Sequence, residues 1–152
     1  PIFQEAEKHG VRIHLLKDFI CATSPEDTQG VVTRTEAQGI TADLGGYDIG
    51  LESVKSFSKV IAKSKTIIMN GPMGVFENDK FKTGTLDLVK AIIQASKDKE
   101  VVSVVGGGDT VRAVNMVDQA KNIISHISTG GGASIELLEG KQLPGVSFLS
   151  DR

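Results

Sequence analysis

Val101-Val102-Ser103-Val104-Val105-Gly106-Gly107-Gly108-Asp109-Thr110 is the stretch whose reading decides the fold. A short valine-rich run bounded by glycine reads as a buried strand. The apolar spacing Val111, Val114, Val117 that follows reads as a helix, with Asp109 and Thr110 near its start. Glycines let backbone pass close to a ligand, and free N–H groups at a helix N-terminus attract phosphate. A second unit of the same design follows: Ile123–Ser128 as strand, Thr129-Gly130-Gly131-Gly132 as turn, Ala133–Glu139 as helix. Two such turns can aim their helix ends at one anion.

Working outward, Pro1–His9 reads as a helix stopped by Gly10. Val11–Leu15 and Asp18–Ala22 read as short strands, and Thr23–Gly46 as a polar, glycine-punctuated loop with a minor strand at Val31–Thr35. Glu52–Lys63 has the spacing of an amphipathic helix, with Val54, Phe57 and Ile61 on one side and Lys55, Lys59 and Lys63 on the other. Thr66–Met69 reads as a buried strand ending in the Asn70-Gly71-Pro72 turn, and Thr85–Lys97 as a helix burying Leu86, Val89 and Ile93. Strands alternating with helices predict an α/β fold, a three-layer Rossmann-like parallel sheet with helices on both faces. In such sheets ligands bind beyond the carboxyl ends of the strands. That edge would collect Asn70–Glu77, Gly106–Thr110 and Thr129–Gly132, joined by Gly45–Gly50.

Composition narrows the function. The 152 residues suffice for one domain with a real core, and 39% hydrophobic with 24% charged residues is ordinary for a globular protein. A net charge of −2 leaves no basic footprint for nucleic acid. The single cysteine, Cys21, excludes an internal disulfide and fits a reducing compartment, so a cytoplasmic location is expected. No apolar stretch reaches the roughly 18 residues that span a bilayer. A start at Pro1, already inside a helical pattern, points to a processed or truncated product.

Two familiar phosphate motifs fail. The dinucleotide fingerprint needs a third glycine or alanine, where this chain has Val111 and Ile135. The only Gly-Lys pair, Gly140-Lys141, is followed by Gln142 rather than Ser or Thr. Asp109 suits either a helix N-cap or a Mg²⁺ ligand, since Mg²⁺ takes one or two carboxylates with phosphate oxygens. Glu77 suits either a solvated surface acid or an acceptor for ribose hydroxyls. His9, His14 and His126 have no ligand spacing, and Glu136 and Glu139 read as a solvated helix face. The glycine turns carry no lysine or arginine, so basic partners for a polyphosphate are expected elsewhere in the fold or outside this chain.

Asn70-Gly71-Pro72-Met73-Gly74-Val75-Phe76-Glu77, Gly106–Thr110 and Ser125-His126-Ile127-Ser128-Thr129-Gly130-Gly131-Gly132-Ala133-Ser134 resemble the phosphoglycerate kinase family. Glu136–Lys141 and Leu143–Val146 extend the likeness almost to the C-terminus. Asp48-Ile49-Gly50-Leu51-Glu52-Ser53 resembles the family's Asp-Ile-Gly-Pro-Glu-Ser segment. The resemblance implies that residues 1–152 are the later part of the C-terminal, nucleotide-binding domain, an incomplete domain. The N-terminal domain that holds 3-phosphoglycerate and 1,3-bisphosphoglycerate, and the phosphate-binding lysines, would lie outside it.

Carried over by position, the resemblance implies that Gly46 and Tyr47 line the adenine pocket, with Asn70 and Met73 close by. It implies that Glu77 holds the ribose, Asp109 ligates Mg²⁺ and Thr110 contacts the phosphates of ATP or ADP. Backbone N–H groups of Gly107, Gly108 and Asp109, and of Gly130, Gly131 and Gly132, would support the transferring phosphoryl group. Met69 stands where the family has tryptophan, Leu51 where it has proline and Tyr47 where it has an aliphatic residue. A monomer is implied for the intact enzyme, with no nucleic-acid or membrane partner. Other readings of the residues are a nucleotide-binding module without catalysis and a dinucleotide-dependent oxidoreductase, the second disfavoured by the failed fingerprints.

Overall fold

The computed structural model describes residues 1–27, 29–98 and 100–150. Its elements run α1 (Ile2–Lys8), β1 (Asp18–Ala22), β2 (Val32–Thr35), β3 (Gly45–Ile49), α2 (Leu51–Ile61), β4 (Thr66–Asn70), α3 (Thr83–Ser96) and β5 (Val102–Gly106). They continue with α4 (Gly108–Val114), α5 (Ala120–Ile123), β6 (His126–Ser128), α6 (Gly131–Leu138) and α7 (Pro144–Ser147).

The chain is α/β, and its strands form two sheets rather than one. β4, β5 and β6 make the expected parallel sheet in that order, with Asn70 opposite Gly106 and Gly106 opposite Ser128 at the carboxyl edge. β1, β2 and β3 form a separate antiparallel sheet in the order β2-β1-β3. Gly45–Ile49 is therefore a strand, not a loop joining the parallel edge. The expected strand at Val11–Leu15 does not form. Val11 and Leu15 are more than half exposed, and β-formers without a neighbouring strand gain no ladder.

One face of the parallel sheet carries the core. Ile67, Met69 and Val105 pack with Val89, Ile92 and Ile93 of α3, Val114 of α4 and Ile124. Met69 is 6% exposed, so the thioether fills core volume at that position. The opposite face lies against α6 across an apolar cleft of about 420 Å³ lined by Ile68, Val104, Leu137 and Leu138. Reciprocal hydrogen bonds between Ser103 and Ser125, each backbone N–H donating to the other's hydroxyl, hold the approach to β6 beside β5.

Two buried carboxylates join the sheets to the helices. Asp18 accepts the N–H groups of Glu52 and Ser53 and the Ser53 hydroxyl, capping α2 from 34 residues away in sequence. Asp48 accepts the N–H of Ile49 at 2.9 Å and that of Gly84, in the first turn of α3, at 2.8 Å. Each group is an orphan donor of a helix start, or adjoins one, so a distant side chain stands in for a local cap.

Candidate functional site at the carboxyl edge of the parallel sheet

Three loops leave the carboxyl ends of β4, β5 and β6, and side-chain and backbone contacts lock them together. The side-chain amide of Asn70 donates to the Gly131 carbonyl at 3.0 Å, and Gly107 N–H donates to the Ser128 carbonyl at 3.1 Å. Gly71 N–H donates to the Thr110 hydroxyl at 2.7 Å. Gly107 has φ +92°, and a Cβ placed on Gly131 would lie 3.1 Å from the Gly107 Cα. Gly107 is demanded by its backbone conformation, and a side chain on Gly131 would crowd it. Gly108 and Gly132 are different, because a Cβ on either would meet open space. Gly130 is held by its N–H donating to the Ser128 hydroxyl and its carbonyl accepting the Ser134 hydroxyl.

The N-cap residues of α4 and α6 are glycines with no side chain to cap them, and among the described residues the N–H groups of Gly108, Asp109, Gly131 and Gly132 have no hydrogen-bond partner. Asp109 is inside α4 and caps nothing. Its carboxylate is exposed, and no group of three or more metal-binding side chains occurs among the described residues. One exposed carboxylate beside two glycine turns suits a Mg²⁺ ion that arrives with a polyphosphate.

Thr110 is 1% exposed, and its hydroxyl oxygen accepts the Gly71 N–H, so it ties the β4 turn to α4. Thr85 does the same on the other side, its hydroxyl accepting the N–H groups of Met73 and Gly74. Met73 turns into a cluster with Ile49, Val54, Leu88 and Phe57. Tyr47 is half-buried, its ring 5.3 Å from that of Phe81, and its carbonyl accepts the Val75 N–H at 2.8 Å. Gly46, exposed, precedes it in β3 opposite Cys21. Tyr47 therefore borders the loop that runs from Asn70 to Glu77, with Gly46 before it in β3, while Met73 supports that loop from beneath.

Sequence reasoning missed Arg112. Its guanidinium nitrogen lies 2.5 Å from Glu77 Oε1 and 3.6 Å from Asp109 Oδ1, and its Cζ lies 5.2 Å from the centre of the Phe76 ring. A base does stand at the glycine turns, one helical turn after Asp109. That i,i+3 spacing was visible; the pairing with Glu77, 35 residues away, was not.

Burial pushes the Asp48 carboxyl up to about 6, against the opposing hydrogen bonds of Gly84 and Ile49 and with a further push from Asp87. Asp18 goes the other way. Burial raises it, but the Ser53 hydroxyl and the N–H groups of Glu52 and Ser53 outweigh burial and hold it below the usual carboxylate range.

Parallel strands that deliver glycine turns and uncapped helix ends to one edge define an α/β domain of the ligand-at-the-carboxyl-edge class. A family model described as phosphoglycerate kinase matches residues 1–141. The chain is 46% identical to phosphoglycerate kinase of Schistosoma mansoni over 150 residues, which is 99% of this chain and 36% of that protein. It is 44% identical to phosphoglycerate kinase of Saccharomyces cerevisiae over 151 residues, again 99% of this chain and 36% of that protein. The solved phosphoglycerate kinase of Coxiella burnetii superposes with a TM-score of 0.83 at 32% identity, over 95% of this chain and 36% of that one. The chain belongs to the phosphoglycerate kinase family and spans about a third of the length of these relatives.

Proposed function

We propose that the chain supplies the nucleotide side of a phosphoglycerate kinase, as the later part of its C-terminal, nucleotide-binding domain. The intact enzyme would move a phosphoryl group reversibly between 1,3-bisphosphoglycerate and ADP, giving 3-phosphoglycerate and MgATP. Residues outside these 152 would hold the glycerate substrate, so the chain alone would bind nucleotide without turnover. Work in the cytoplasm suits such a glycolytic kinase.

The observation that carries this reading is the back-to-back pairing of the Gly107 and Gly131 turns, with Gly108 and Gly132 open to space beside them. The fold does not need those last two glycines, whereas a phosphate brought against the backbone does. N–H groups of Gly108, Asp109, Gly131 and Gly132 would meet phosphoryl oxygens, which suits a reaction governed by positioning and charge stabilisation. Glu77 would accept the ribose hydroxyls, and Gly46 and Tyr47 would border the purine. Asp109 would hold Mg²⁺, which supplies charge neutralisation on the phosphoryl oxygens when bound. Thr110 serves by fixing the Gly71 turn, and Asn70 by clamping the Gly131 turn.

Calorimetric titration with MgADP, beside Asp109→Ala, tests the site. Binding that weakens in the variant supports it. Equal affinities would remove Asp109 from the metal, and catalytic activity in the purified chain would overturn the claim that it is inactive alone.

A further inference from the structure

Glu77 and Asp109 reach the carboxyl edge from different elements, one from the loop after β4 and one from α4. A single side chain touches both. The Arg112 guanidinium meets Glu77 Oε1 and lies within 3.6 Å of Asp109 Oδ1, and it rests over Phe76, whose ring is 4% exposed. A free surface ion pair contributes little, because two mobile side chains must be ordered in high dielectric. Here the guanidinium also rests on a buried aromatic residue, and a planar fork over an aromatic face is something lysine cannot reproduce.

We propose that Arg112 is a positioning residue of the nucleotide site, a guanidinium shared between Glu77 and Asp109 that sets how Glu77 meets a ribose. The inference rests on the reading of Glu77 and Asp109 given above. With Oε1 engaged by Arg112, the carboxylate is fixed in one orientation and Oε2 is left for hydroxyl donors. A cation taken up by Asp109 withdraws that carboxylate from Arg112 and leaves the guanidinium wholly to Glu77. Ribose recognition and metal occupancy are thereby linked through one residue on α4.

The test compares ADP with 2′,3′-dideoxy-ADP, which carries the same phosphate charge. The ratio of the two affinities thus cancels any general effect of removing a positive charge. The 152-residue chain, Arg112→Gln, Arg112→Lys and Glu77→Gln are titrated with both nucleotides, with and without Mg²⁺, after circular dichroism shows each folded alike. The unsubstituted chain is expected to prefer ADP by about tenfold, the worth of a hydrogen bond to a charged group. Arg112→Gln should lose most of that preference, and Arg112→Lys should recover only part of it. Addition of Mg²⁺ should widen the preference in the unsubstituted chain and leave it unchanged in Arg112→Gln. Loss of preference in Glu77→Gln with full preference in Arg112→Gln would overturn the role of Arg112 while the site reading stands. Full preference in Glu77→Gln, or no ADP binding by the unsubstituted chain, would overturn both. An unsubstituted preference indifferent to Mg²⁺ would overturn the sharing.

Discussion

Gly107 and Gly131 stand back to back, so close that a methyl group on Gly131 would come within 3.1 Å of the Gly107 Cα. The close approach sets two local motifs side by side on one surface, where Asn70 and Ser128 hydrogen-bond across them. Gly107 bears the backbone strain of the pair at φ +92° and ψ 138°, a conformation open to glycine and few others. Gly107→Ala is expected to cost about 1–3 kcal/mol of stability. Urea unfolding of the two chains checks it, and an unchanged midpoint would mean that the turn relaxes freely.

Gly132→Ala should behave in the opposite sense. Position 132 lies in the first turn of α6 with nothing within 4 Å of an added Cβ. Alanine in place of glycine within a helix stabilises by up to about 1 kcal/mol. The same methyl group would stand where the proposed phosphate approaches. The expected outcome is a chain at least as stable as the original that binds ADP more weakly. A variant that binds ADP as well as the original would place the phosphate elsewhere.

Thr110 separates a structural hydroxyl from a ligand-binding one. Valine matches its shape but leaves the Gly71 N–H without its acceptor, at a cost of about 1–3 kcal/mol. Serine keeps the acceptor. Thermal unfolding should therefore rank Thr110→Ser above Thr110→Val. Loss in Thr110→Ser with none in Thr110→Val would point to the methyl group rather than to the hydrogen bond.

The glycine turns were legible because their signal is local: an apolar run, three glycines, then helical spacing, twice. The parallel sheet and its carboxyl edge followed from that pattern, and the family from the likeness of whole segments such as Asn70–Glu77 and Ser125–Ser134. What stayed hidden depends on contacts distant in sequence. Gly45–Ile49 begins with two glycines and becomes a strand only because β1 pairs with it, an instance of tertiary pairing overriding propensity. Val11–Leu15 has the propensity and lacks the partner. The alternation of strands and helices could not reveal that the first three strands pair antiparallel among themselves. Within the site, Asp109 and Glu77 stood out by type and place, yet Arg112 acquires its meaning from Phe76 and Glu77, more than thirty residues earlier. The phosphate role of Thr110 is implied by the resemblance alone; its hydrogen bond to the Gly71 turn, from far earlier in the chain, has no local signal.

Asp48 gives the fold a pH dependence of definite sign. Its carboxyl is pushed up to about 6 in the folded chain, against about 3.9 in an unfolded one. The folded state therefore favours the protonated form, and its contribution is fully present below about pH 4. Stability should fall as pH rises from about 4 to about 6 and then level off, a difference of about 3 kcal/mol for two pKa units. Asp18 cannot produce this slope. Its carboxyl is held low, so its contribution is present above the ordinary carboxylate range and is lost only as pH falls through its depressed value. Asp48→Asn keeps the size of the side chain and removes the charge, but its amide oxygen can accept only one of the two N–H groups well. Leaving one buried N–H without its acceptor costs about 1–3 kcal/mol, no more than the buried charge does at neutral pH. The variant should therefore be at least as stable as the original at pH 7 and should show no slope between pH 4.5 and 6.5. Urea unfolding across that range checks both, and a slope that survives in Asp48→Asn would assign the titration to another group.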